Sequence, residues 1–254
     1  MTSSFDLLSS PFHVGVPVPV SLTDRPHEQV RPAASAGDDA VAQVCEAVAR
    51  SVAASAAAGH VPLLFAGDCL APLGVVAGLQ RAGVTAPAVV WFDGHGDFNT
   101  PETSPSGYLP GMALALLVGR GDRGLAERLG MRPIDERQTL LVDARDLDAE
   151  EAEALAASQV RRVGVGDAAA VNVGGSTTPL YIHVDADVVD PTDMPGMGFP
   201  AAEGPSLAAV AEALAALAAT GRLCAVSFGT TLRADGVDAD AAVAATGRLA
   251  AALI

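Results

Sequence analysis

Two short stretches gather acidic and imidazole side chains where apolar runs end. The first is Trp91-Phe92-Asp93-Gly94-His95-Gly96-Asp97-Phe98-Asn99. The second is Tyr181-Ile182-His183-Val184-Asp185-Ala186-Asp187-Val188-Val189-Asp190-Pro191. In an extended chain, residues i, i+2 and i+4 share a face. Asp93, His95 and Asp97 therefore converge, as do His183, Asp185 and Asp187. Four carboxylates at one sheet edge repel one another unless a cation neutralises them. Carboxylate oxygens with an imidazole suit Mn2+ or a similar divalent metal. So many bridging carboxylates read as a two-metal site that activates water. One Asp-x-Asp after a strand is more often a turn or cap. Two such clusters, each behind a buried β run and before a Pro-containing loop, shift the reading to metal.

These motifs need strands behind them, and the chain supplies them in alternation with helices. Strand-like runs lie at 13–20 (broken by prolines, hence an edge or first strand), 61–65, 88–92, 139–142, 160–165, 179–184 and 223–228. Helical stretches cover 37–59, 70–82, 110–130 with a break at 119–122, 148–158, 205–220 and 237–254. Asp148 and Ser206 are placed to cap two of these helices. Alternation of this kind predicts one α/β domain over residues 1–254, with a mainly parallel sheet covered on both faces. The loops at 101–111 and 190–204 follow strands, where active-site loops of such sheets belong.

Composition narrows the function. The 254 residues carry 15 basic and 30 acidic side chains, a net charge of −15, and no lysine. Binding nucleic acid or anionic lipid needs clustered positive charge, so neither is expected as a partner. Schiff-base and P-loop lysine chemistry are excluded. Cys45, Cys69 and Cys224 are far apart and form no CxxC, against a disulfide framework or structural zinc. With neither a signal segment nor a membrane-spanning run, the expectation is a reduced, soluble, cytoplasmic protein.

The two acidic motifs resemble the D-A-H-x-D and D-x-D-x-x-D-P signatures of the arginase/agmatinase (ureohydrolase) family of binuclear manganese hydrolases. Ala66-Gly67-Asp68-Cys69 is similar to the family's G-G-D-H, and Pro195-Gly-Met-Gly198-Phe-Pro200 continues the second signature. The resemblance implies a three-layer α/β/α sandwich. It implies one metal held by Cys69, Asp93, Asp97 and Asp185, and a second by Asp93, His95, Asp185 and Asp187. Asp93 and Asp185 would bridge. A metal-bound hydroxide, oriented by Asp97, would attack a guanidinium carbon. Asn99 and Ser106 stand where family arginases contact the substrate α-carboxylate. Asp148 and Glu151, in Arg145-Asp-Leu-Asp148-Ala-Glu-Glu151, match the residues that reach the α-amino group. Family members are commonly trimers or hexamers, which leaves a homo-oligomer open.

Three departures shape the expected function. Cys69 replaces a histidine ligand. As a thiolate it favours Zn2+, Co2+ or Fe2+ over Mn2+, and as a buried thiol it is a small apolar filler. Pro110 stands where the family carries a histidine proton shuttle. Ser227 and Phe199 stand in the expected guanidinium pocket, Ser227 near the family's pairing glutamate. His183 has several roles open to it: acid/base, extra ligand, partner fixing a ligand carboxylate, or a histidine bonded inside the sheet. The expected activity is metal-dependent hydrolysis of a guanidino or amidino C–N bond. The substrate would be less basic than arginine, such as N-hydroxyarginine, and one or two metals would bind, most simply Mn2+. The alternative is a catalytically impaired relative that binds metal or ligand.

Overall fold

The computed structural model describes residues 4–32 and 39–254. Its strands are β1 (Phe5–Ser10), β2 (Phe12–His13), β3 (Val16–Pro17), β4 (Glu28–Gln29), β5 (Val61–Ala66), β6 (Ala88–Asp93), β7 (Thr139–Asp143), β8 (Arg161–Val163), β9 (Leu180–Asp185) and β10 (Leu223–Gly229). Its α-helices are α1 (Ala40–Ala57), α2 (Ala71–Arg81), α3 (Ala113–Leu117), α4 (Gly124–Arg128), α5 (Ala149–Ala156), α6 (Leu207–Ala218) and α7 (Ala239–Ala251). Among the described residues eight strands form one sheet in the order β4-β1-β5-β10-β9-β6-β7-β8. Every pairing within it is parallel.

The sheet is covered on both faces, and strand alternation sorts the core into two layers. Val89, Trp91, Leu141 and Tyr181 face α1, α2 and α3. Val90, Phe92, Ile182, Val184, Val226 and Phe228 face α6 and α7. This is the expected α/β/α sandwich. Helix α2 lies close against α1, because a Cβ on Gly74 would come within 2.4 Å of Cys45 O and one on Gly78 within 2.6 Å of Ala49 O. Only glycine permits that approach of backbones.

The N-terminal expectation needs correction. The apolar run at 13–20 does not join the eight-stranded sheet. Its start and middle form the small antiparallel pair β2–β3, and its prolines lack the donors a sheet needs. Val14 and Gly15 turn it through left-handed φ values of 47° and 77°. The strand that does enter the sheet is β1, whose Asp6 interrupts the apolar pattern. The helix expected over 37–59 is observed as Ala40–Ala57, and residues 37–38 lie outside the described ones. The 110–130 region divides into α3 and α4 at the expected break.

Candidate metal centre

The central strands β5, β10, β9 and β6 are neighbours, and they end at one edge. Such carboxyl ends are where open α/β sheets place their sites. Asp93 ends β6, Asp185 ends β9, and Cys69 follows β5 at the start of α2. Asp97 sits in the loop after β6 with φ 49°, a left-handed conformation uncommon outside glycine. Its carbonyl accepts from Ala115 N at 3.0 Å, so the strained turn is anchored to α3.

Two groups of ligand atoms result. Cys69, Asp93 and Asp97 present atoms within 4.8 Å of one another, and so do Asp93, His95 and Asp187. Asp93 belongs to both. Its Oδ2 accepts from Trp91 Nε1 at 3.0 Å and its Oδ1 from His95 N at 2.7 Å. Asp187 Oδ1 accepts from Gly94 N at 3.1 Å, and Asp185 Oδ1 from Asp187 N at 3.1 Å. These bonds fix carboxylate orientation, as supporting groups around metal ligands do. His95 Nδ1 lies 3.2 Å from Asp187 Oδ2.

The electrostatics fit a cation. Burial and the charges of Asp93 and Asp185 push the Asp97 carboxyl well above its usual range. Burial and the charges of Asp187 and Asp93 do the same to Asp185. Asp187 rises to about 6, chiefly through burial and then the charge of Asp93. Burial opposes a charged His95, but the hydrogen bonds and charges of Asp187 and Asp93 prevail and hold its pKa at about 12. Asp97 Oδ2 is buried without a hydrogen-bond partner. Buried polar atoms are seldom left so. Cys69 Sγ donates to Asp185 Oδ2 at 2.7 Å, and burial with the surrounding carboxylates keeps the thiol protonated. A divalent ion would offset the repulsion among these carboxylates and satisfy Asp97 Oδ2, so the donor set suits one.

Next to these ligands opens a cleft of about 570 Å³. Cys69, His95, Asp97, Asp185 and Asp187 line it, together with Asn99, Ser106, Asp148 and Glu151. The residues expected to bind substrate are therefore brought to one mouth. Asn99 Nδ2 donates to Asp148 Oδ2 at 3.0 Å. Glu151 also braces the surrounding backbone. Its Oε1 accepts from Phe98 N at 2.8 Å and its Oε2 from Asp148 N at 3.3 Å, so it caps α5 and braces the loop. Pro110, buried, and Phe199, 48% exposed, also border the cleft.

Two further placements correct the sequence-based expectation. His183 is fully buried, with its ring centroid 4.1 Å from that of Trp91, and is not among the cleft residues. Its Nδ1 lies 2.8 Å from Ser227 Oγ, which is 2.7 Å from Tyr181 Oη. Burial lowers its pKa to about 3, so the ring stays neutral. Ser227 thus belongs to a buried chain, not to the guanidinium pocket. The β10 residue that faces the ligands is Gly229. A Cβ there would lie 3.1 Å from Cys69 Sγ and 3.4 Å from Asp185 Oδ2. The period of two along a strand puts both residues on one face, but only register with β9 shows which reaches the edge. Tyr108, Thr231 and Asp146 also stand in the cleft wall, where no sequence motif marks them. No local pattern marks loop residues for that place.

A model of the arginase family matches residues 18–245. The chain belongs to the arginase family. It is 33% identical over 202 residues to an arginase of Brevibacillus brevis, covering 75% of this chain and 67% of that one. It is 36% identical over 177 residues to the N(omega)-hydroxy-L-arginine amidinohydrolase of Streptomyces lavendulae, covering 66% and 63%. The matched part thus spans about two thirds of these curated relatives. The crystal structure of the arginase from Bacillus cereus superposes with a TM-score of 0.82 at 22% identity, covering 99% of this chain and 98% of that one. That likeness establishes the arginase fold. Divalent metal is a general property of the arginase family, and hydrolysis of a guanidino C–N bond fits the chain's membership.

Proposed function

We propose that the protein hydrolyses an N-hydroxyguanidine of amino-acid type, such as N-hydroxy-L-arginine, with Mn2+ at the two ligand groups. The observation that carries this reading is Gly229. The β10 residue facing the ligands has no side chain to pair with a guanidinium cation. An N-hydroxyl substituent withdraws electrons and lowers guanidine basicity, so such a substrate leans less on a pairing carboxylate. The relative that acts on N(omega)-hydroxy-L-arginine supports the same choice.

Asp93, His95, Asp187, Asp97, Asp185 and Cys69 would hold metal. When bound, the metal supplies a water acidic enough to attack at neutral pH. Asp97 Oδ2, buried without a hydrogen-bond partner, would be placed to accept a proton in the cleft. Asn99, Ser106 and Asp148 orient the amino-acid end, with Glu151 bracing Asp148. Pro110 transfers no proton, so a substrate with a better leaving group depends less on a general acid. His183 is a positioning residue, packed on Trp91, whose indole donates to Asp93.

The test compares N-hydroxy-L-arginine with L-arginine on manganese-loaded protein. At least tenfold higher kcat/KM for the N-hydroxy compound is expected. Faster hydrolysis of arginine overturns the proposal. Full metal loading with no turnover of either favours a binding protein instead.

A further inference from the structure

Tyr108 projects from the loop between β6 and α3 into the cleft wall. It stands on the Cys69 side. Burial and then the charge of Asp68, with the nearby carboxyls of Asp185 and Asp97, keep its phenol protonated. Its ring packs on Phe199 at 4.9 Å between centroids and on His13 at 5.9 Å. Strand β2 and the loop after β9 thus both pack against this one ring.

The hydrogen bonds set its polarity. His13 Nδ1 is 3.3 Å from Gly67 O, and a carbonyl oxygen only accepts, so Nδ1 carries the proton. With that proton on Nδ1, Nε2 is left to accept, and Tyr108 Oη lies 3.4 Å from it. The phenol proton is directed at His13. The phenol oxygen keeps its lone pairs for the cleft. Asp68, the motif acid before Cys69, secures this arrangement by accepting from Val14 N at 2.6 Å, next to His13.

A neutral acceptor beside the ligand cluster suits a neutral donor on the substrate. We propose that Tyr108, oriented by His13, is a specificity-determining residue whose phenol oxygen accepts a hydrogen bond from the N-hydroxyl of a substrate N-hydroxyguanidine. The inference rests on the proposed substrate class and adds the group that reads it. Phe199 packs against the same ring and borders the cleft beside it.

The experiment measures binding, so that it does not depend on turnover. N-hydroxyguanidine and guanidine, which lack the amino-acid half, are titrated into the manganese-loaded protein. Affinities are read from the shift in thermal unfolding midpoint. The wild type is expected to prefer N-hydroxyguanidine about tenfold, the value of one good hydrogen bond. Tyr108→Phe is expected to abolish that preference at unchanged metal content. His13→Leu, which removes the orienting acceptor while keeping the phenol, should reduce it in part. A wild type without preference, or a preference intact in Tyr108→Phe, overturns the inference. If the preference is present and lost as expected while N-hydroxy-L-arginine is not hydrolysed, Tyr108's role stands and the catalytic reading fails. If N-hydroxy-L-arginine is hydrolysed while Tyr108→Phe keeps the preference, the catalytic reading stands and Tyr108's role fails.

Discussion

The thiol of Cys69 donates to Asp185 Oδ2 in a pocket that also holds Asp93 and Asp97. For the sulfur to bind metal, that proton must leave, and burial among carboxylates resists its loss. Histidine binds through a neutral nitrogen and suits Mn2+ better than a soft thiolate does. Cys69→His is therefore expected to raise Mn2+ affinity roughly tenfold or more. Titration of metal-stripped protein with Mn2+ checks this. Unchanged affinity would place Cys69 outside the coordination shell. The missing side chain of Gly229 leaves the space a longer residue needs.

At the scale of elements, one side chain ties the loops that carry the ligands. Arg145 follows β7 and reaches across to the segments after β9. Its guanidinium donates to Asp187 O at 3.2 Å, Val188 O at 2.9 Å, and Ala201 O and Ala202 O at 2.8 Å, and it pairs with Asp143. Gly204 lets it in, since a Cβ there would come within 2.5 Å of the guanidinium. Lysine has three donors and cannot serve five acceptors. Arg145→Lys is expected to cost about 1–3 kcal/mol of stability and roughly tenfold in metal affinity through Asp187. Urea unfolding with and without Mn2+ separates the two effects. Lost stability with unchanged metal affinity would confine Arg145 to folding.

Across the whole molecule, a chain of net charge −15 buries Asp93, Asp97, Asp185 and Asp187 at one sheet edge. Protons or metal must offset that concentration of charge. A ligand of the folded state at one hundred times its Kd stabilises by about 2.7 kcal/mol. Chelation of the metal-loaded protein should therefore lower Tm by roughly 5–10 °C, with recovery on Mn2+ addition. Calorimetry checks this, and a Tm indifferent to chelator would mean that protons alone neutralise the cluster. Among the described residues no helix is long and apolar enough to cross a membrane.

Much of this protein was legible in its sequence, because the relevant signals are local. Strand period put Asp93 with Trp91, and Asp185 with His183, on one face, and apolar runs bounded by loops gave the parallel sheet. The two acidic clusters taken together pointed to a candidate cation site. Tertiary structure decided what depends on neighbours from distant parts of the chain. It set β10 beside β9 so that Gly229, not Ser227, meets the ligands. It turned His183 inward onto Ser227, and it locked Glu151 onto backbone amides. It brought His13, 95 residues away in sequence, against Tyr108. Local periodicity fixes which face a side chain takes. Which partner it finds there is set by strand order, register and loop packing.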